Sequence, residues 1–156
     1  DAGSQDNLDF ATTFSSAGAY HVFMVLDLSE ESNETFLSSV DNTSFMRFGQ
    51  GGTAEDFRMK NGGTTVNITL SQGFGTTKAI AEVSRNADNG IRVIKNGVGL
   101  GAGTGAGTFD YEQIGSSSNG MTSAGIHEVV IFNEILTDAN ATLVRNDIAN
   151  RTSISI

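Results

Sequence analysis

The sequence predicts an all-β sandwich or barrel carrying one short C-terminal helix, and three observations predict it. Apolar runs of strand length recur along the chain, separated by turn clusters at regular spacing. Glycine is abundant, 19 of 156 residues, yet ten Phe and repeated Val/Ile runs supply a core, so the glycines mark turns and not disorder. Helical periodicity is confined to one segment, after Leu136.

Residues 1–18 read as an N-terminal arm or first strand, with Leu8–Phe14 a weak strand candidate, ahead of a domain at 19–156. Tyr20–Leu28 (YHVFMVLDL) is apolar on both faces. Tyr20, Val22, Met24, Leu26 and Leu28 share one face, and Phe23 and Val25 the other. A strand of that kind lies centrally, covered from both sides. Phe36–Val40, Phe45–Gly49 and Asp56–Lys60 follow. In Thr65–Leu70, Val66, Ile68 and Leu70 alternate with polar residues in a half-buried pattern. Asn61-Gly62-Gly63 is a hairpin signal between two of these runs, because such turns need positive φ. Asn86–Gly90 plays the same part between Lys78–Arg85 and Ile91–Lys95. With Phe109–Ile114 and Ile126–Phe132 the count reaches about ten strands. For the helix, Thr137 is the expected N-cap, with Asp138 at its positive end and Arg145 and Arg151 toward its negative end. Leu136, Ala139, Leu143 and Asp147/Ile148 fall at helical spacing and predict the packed face.

Charge narrows the partners. Eighteen acidic against nine basic residues leave a net charge of -9, with no basic cluster in the sequence to reverse it, which argues against nucleic acid and anionic membranes. No apolar run approaches the ~18–20 residues of a membrane span, so no membrane insertion is expected. Cysteine is absent, which removes disulfides and thiol chemistry without fixing a compartment. The chain begins at Asp1 with no signal-like segment, and is expected to be a processed product or an excised domain.

The run NGVGLGAGTGAG at 96–107 matches the dinucleotide fingerprint G-x-G-x-x-[GA] twice. Such a loop has to open a helix within a βαβ unit, and the FDYEQIG that follows has no helical periodicity. The phosphate-binding reading fails on that context. What remains is alternation, with Gly97, Gly99, Gly101, Gly103, Gly105 and Gly107 at every second position. The simplest expectation is a loose connection between strands. The sharper one is an extended segment with a face free of side chains, open to close approach by a backbone, an aromatic ring or a sugar ring. On that view Gly99, Gly101, Gly103, Gly105 and nearby Tyr111 form a contact surface for a neighbouring chain.

Other chemistry-bearing residues read as structural. His21 and His127 both fall in strands, without triad surroundings. Asp110 and Glu112 share one strand face, as paired carboxylates for glycoside hydrolysis would, but a solvated acidic strand end is the favoured expectation. Asp6, Asp9, Asp41, Asp88 and Asp110 lie in or beside loops, and Asn86–Gly90 has calcium-loop residue types without EF-hand spacing. No cofactor is expected; calcium stays open, with no ligand assigned. The N-x-[ST] sequons at Asn33, Asn42, Asn67, Asn140 and Asn150 exceed chance only slightly and matter only in a glycosylating host.

One ordered set of elements points to a family. A strand at Lys78–Arg85 and a turn at Asn86–Gly90 lead into Ile91–Lys95, ending in the hairpin Asn96-Gly97. Ile114-Gly115-Ser116 follows, and the tail is Ala124–Phe132 continuing to Ile135-Leu136-Thr137-Asp138. Over 19–151 the chain resembles the concanavalin A-like lectin/glucanase superfamily, in particular its laminin G-like members. The resemblance implies a jelly-roll sandwich of two antiparallel sheets. It makes Glu128 a structural strand residue of the tail and not a catalytic one. Two departures matter. The E-x-D-x-x-E array of glucanases is missing, with Thr108 where its first Glu would stand, so no enzyme is expected. The family's strand tryptophans are absent, leaving Tyr20 and Tyr111 as polar aromatics where sugars are usually stacked.

The favoured function is therefore a non-catalytic structural, decoration or adhesion module on a surface assembly, a phage capsid or fibre above all, with protein partners or self-association. The alternative is a secreted or cell-surface glycan-binding module. Both place the chain on a virion surface or outside the cell.

Overall fold

A computed structural model describes residues 8–28, 33–115 and 125–156. The two-faced run at Tyr20 becomes β2 (Tyr20–Asp27) and organises the molecule. Tyr20, Val22, Met24 and Leu26 enter the core between two sheets, while Phe23 and Val25 point outward beneath a helix. Around it, in chain order, stand β1 (Leu8–Ser16), β3 (Glu34–Ser38), β4 (Phe45–Phe48), β5 (Asp56–Asn61), β6 (Thr64–Thr69), β7 (Ala79–Arg85), β8 (Gly90–Lys95), β9 (Val98–Thr104), β10 (Phe109–Ile114), β11 (Gly125–Phe132) and α1 (Asp138–Thr152). Asp6, Ser116 and Ala124 lie outside the described residues.

Among the described residues all pairings are antiparallel, with a front sheet of six strands in the order β1-β10-β3-β4-β5-β6 and a back sheet of five in the order β11-β2-β7-β8-β9. The chain is thus the jelly-roll sandwich expected, with one C-terminal helix. Phe36, Phe48, Phe57, Phe74 and Phe109 are fully buried between the sheets, each worth roughly 1.5–3 kcal/mol of hydrophobic stabilisation. Phe48 and Phe74 stack with centroids 4.5 Å apart. Buried Arg85 donates to the carbonyls of Ser16, Gly18 and Gly107, so its polar head is satisfied by three backbone acceptors.

Hairpins form where the sequence places them. Gly62 and Gly63 take φ of 51° and 92°, and Asn96 and Gly97 take 48° and 83°, the left-handed pair that matches hairpin twist. Asn96 also ties the turn down, its Oδ1 accepting from the Ile80 amide at 2.8 Å.

The glycine run corrects the sequence expectation. Its central part, 98–104, is a strand, β9, and not a loose connection, which brings the described strands to eleven, while 105–108 connect it to β10. Its glycines do not share one face either. The register steps from Ile94↔Gly99 to Val93↔Gly101, so Leu100 is the extra residue of a bulge and turns into the core. Beyond the bulge, a Cβ on Gly101, Gly103 or Gly105 would stand 2.9, 2.8 and 2.2 Å from side-chain carbons of Ile68 or Val66 on β6. The missing side chains let β9 approach the front sheet of its own chain, which offsets glycine's poor strand propensity. Ser71 N donates to Leu100 O at 2.8 Å and joins the sheets at this edge.

The helix face also differs from the pattern read in the sequence. Ala141, Ile148 and Ala149 are buried, with Leu136 and Val144 packed beside them, whereas Leu143 is 67% exposed and Ala139 faces solvent. Thr137 caps the helix by accepting from the Asn140 amide. The cap sets where the first turn begins, and docking on Phe23 and Ile80 selects the small Ala141 for the close approach.

Candidate functional site

α1 covers β2 and β7, where Ala141, Ile148 and Ala149 close over Phe23, Val25 and Ile80. Beyond its edge lies a groove of about 590 Å³ between α1 and the outer faces of β8 and β9. One row of paired positions crosses the back sheet from Phe23 through Glu82 and Ile94 to Gly99. Its Glu82, Ile94 and Gly99 members supply the floor. A Cβ on Gly99 would meet nothing within 4 Å, so the backbone there is bare toward the groove. Ile94 and Ala102 flank it, and Arg92, Asp138, Thr142 and Arg145 form the walls.

Charge is fixed at the base and loose at the mouth. Glu82, 2% exposed, accepts from Arg145 Nε at 2.9 Å and Nη2 at 2.8 Å. Its other oxygen is 2.9 Å from His21 Nε2. Both carboxylate oxygens are thereby occupied, and the glutamate positions Arg145 instead of serving as a base. At the mouth Arg92 and Asp138 are 3.9 Å apart and largely exposed, a solvated pair worth little to stability and free to hydrogen-bond a ligand. The Thr142 hydroxyl donates to the Asp138 carbonyl and keeps its acceptor lone pairs. A bare floor between donors and acceptors suits a flat polar ring bearing hydroxyls.

The residues singled out in the sequence separate in space. Gly99 and Gly101 border the groove, and Gly97 lies against Arg145 at its end. Gly103 and Gly105 pack inward on β6 and are not a surface. Tyr111 is fully buried, its hydroxyl pKa pushed well above the phenol range by burial, so it belongs to the core and not to a contact surface. Asn61 and Gly62 turn the β5–β6 hairpin at a distance from the groove, with Asn61 fully buried. Thr137 and Asn96-Gly97 shape the groove indirectly by starting α1 and turning β8 into β9.

Asp110 and Glu112 share the outer face of the front sheet, but both are engaged structurally. Asp110 accepts from Ser15 Oγ at 2.5 Å, and Glu112 from Thr13 Oγ1 at 3.0 Å and the Val40 amide at 2.7 Å. They hold β1 and the β3–β4 turn to β10. Glu128 pairs with Arg151 at 2.8 Å and joins β11 to α1. His127 is exposed on β11. Among the described residues no three His, Asp or Glu side chains gather as a metal site, and no helix is long and apolar enough to cross a membrane.

Sequence reasoning missed two pairings that only packing and register create. Glu82 meets Arg145 and His21 from elements some sixty residues away in the chain. Arg47 meets Arg58 across β4 and β5. The one local signal for the second was the i, i+2 spacing of Arg58 and Lys60 in a strand, which puts both on one face.

No protein-family model matches the chain, and no curated protein sequence does either. Solved structures match its fold. A heptameric SAP-like pentraxin from Limulus polyphemus aligns with TM-score 0.69 and 11% identity, over 93% of this chain and 77% of its own. The binding domain of Paraclostridial Mosquitocidal Protein 1 aligns at 0.59 and 11%, over 88% and 39%. A structure of botulinum neurotoxin type C, described by its dependence on two ganglioside molecules for cell entry, aligns at 0.53 and 12%, over 92% and 45%. The chain thus spans less than half the length of these two toxin chains. At such identities the likeness is one of fold, and it agrees with the concanavalin A-like sandwich that the sequence resembles.

Proposed function

We propose that the chain is a non-catalytic binding module, laminin G-like in type and displayed on a virion or cell surface, which takes a glycan in the groove between α1 and β8–β9. The observation that carries this is the bare floor at Gly99, set between Arg92, Asp138, Thr142 and Arg145. A sugar presents an apolar C–H face and a rim of hydroxyls. The face rests on the Gly99 backbone, Ile94 and Ala102, and the hydroxyls pair with the walls. Arg145, held from below by Glu82, is pre-organised as a donor and loses little freedom on binding. The ganglioside dependence of a toxin that shares the fold lends direction to this choice of ligand. A glycan array, run in calcium and in chelator, tests it. Retention of one glycan class by the wild type, lost in Gly99→Leu, is expected; a uniformly blank array would remove the proposal.

A specific observation favours a second role, assembly on a surface. Among the described residues β1 and β11 end their sheets, and LDFATTFSS and GIHEVVIF contain no Lys, Arg or Pro and one acidic residue each, few of the charges that normally protect an edge from pairing. Self-association through the β1 edge predicts oligomers in multi-angle light scattering that Thr12→Pro reduces to monomer. Monomers alone at high concentration would rule it out.

A further inference from the structure

β4 and β5 pair in the register Phe45↔Lys60, Met46↔Met59, Arg47↔Arg58 and Phe48↔Phe57. Met46, Met59, Phe48 and Phe57 fill the core, so Arg47, Arg58 and Lys60 take the outer face of the front sheet. The two arginines are direct cross-strand neighbours, a separation at which like charges repel and destabilise the sheet. An otherwise acidic protein thus places three of its nine cations side by side. That cluster is not legible from overall charge.

Arg47 is not a floppy surface residue. It is 6% exposed. Its Nε donates to Thr35 Oγ1 at 2.9 Å and its Nη1 to Gln50 Oε1 at 3.1 Å, and the guanidinium lies 4.9 Å from the Phe45 ring centroid. Its Nη2 is buried without a partner. Arg58 is half-buried; its Nε donates to Asn67 Oδ1 at 2.7 Å, and its terminal nitrogens have no partner among the described residues. Lys60 Nζ donates to the Asn42 carbonyl at 3.1 Å. Asp56 shares the face two residues before Arg58, yet neither arginine forms an ion pair among the described residues. Burial first, and Arg58 second, pull the Arg47 pKa downward. A fixed, desolvated cation beside a second cation is costly without an anion. Guanidinium forks match the geometry of carboxylate, sulfate and phosphate oxygens.

We propose that Arg47 and Arg58 form an oxyanion site on the outer face of the front sheet, taking a carboxylate or sulfate group. Arg58, half-buried at the sheet surface, captures the anion, Arg47 holds it, and Lys60 adds to the local field. The site is on the opposite sheet from the glycan groove and does not depend on it. The oxyanion is either a free ion or the acidic group of a saccharide.

The test follows the arginine Nε–Hε resonances of the full chain during two titrations, with sodium sulfate and with sodium glucuronate, ionic strength being held constant with sodium chloride. Arg47 and Arg58 are expected to shift and saturate together in at least one titration, while exposed Arg92 and Arg151 drift without saturating. Saturation with sulfate assigns the tetrahedral ion, with glucuronate the sugar carboxylate, and with both a general oxyanion site. Arg58→Gln, a change at a half-buried position that leaves Arg47 to report, weakens binding by about tenfold or more, as expected for the loss of charge-assisted hydrogen bonds. Unsaturated drift equal to that of Arg92 in both titrations, or unchanged affinity in Arg58→Gln, would overturn the site.

Discussion

Glu82 holds Arg145 at 2.8 Å with its own side chain 2% exposed, and this contact fastens α1 to β7. The same carboxylate reaches His21 on β2, so one buried acid joins two strands and the helix. Removing one partner leaves an uncompensated buried charge. Glu82→Gln is expected to lower stability by about 3 kcal/mol in urea unfolding, and to speed amide exchange in α1. The double change Glu82→Leu with Arg145→Met costs much less, because it removes the charges together. A loss below about 0.5 kcal/mol in Glu82→Gln, the scale of an ordinary surface change, would mean the contact is not structural.

The bulge at Leu100 divides the glycine run into two kinds of position. Gly105→Ala drives a methyl to 2.2 Å from Val66 Cγ2, and overpacking of this sort costs about 1–3 kcal/mol. Gly99→Ala adds a methyl in open space and is expected to change stability by no more than about 0.5 kcal/mol. Equal effects at the two positions in parallel denaturant melts would place the bulge elsewhere.

Asp41 supplies a pH test. Its carboxylate accepts from the Thr43 amide at 2.9 Å, from Thr43 Oγ1 at 2.8 Å and from Ser39 Oγ at 2.8 Å. Those bonds, the Thr43 amide first, hold its pKa below the ordinary carboxylate value. A depressed folded pKa contributes stability above the unfolded pKa, and that contribution fades as pH falls through the folded value. Asp41→Asn therefore melts below wild type at neutral pH, and the gap closes below about pH 4. A gap independent of pH from 7 to 2 would show that the charge contributes nothing.

What was legible in the sequence was local. The two-faced Tyr20–Leu28 run fixed a central strand, and Asn61-Gly62 and Asn96-Gly97 marked hairpins because positive φ is a property of those residues themselves. β9 was legible only as the less favoured, extended reading, since glycine alternation has low strand propensity and gains its place from Val66 and Ile68 across the sandwich. Leu143 sat at helical spacing, yet the docked face follows the small Ala141. Gly99 was visible as a candidate contact, but its groove needed the bulge and the edge of α1. The Glu82–Arg145 and Arg47–Arg58 pairs arise from packing and register between separate elements, which no single stretch of sequence displays.

The most direct measurement of the central claim is a backbone amide shift map of the labelled chain, titrated with an oligosaccharide retained on the array. Gly97, Gly99, Ala102, Thr142 and Arg145 are expected to shift together along one saturating curve. Shifts gathered on β4 and β5 instead, or no saturating shift at the groove, would contradict it.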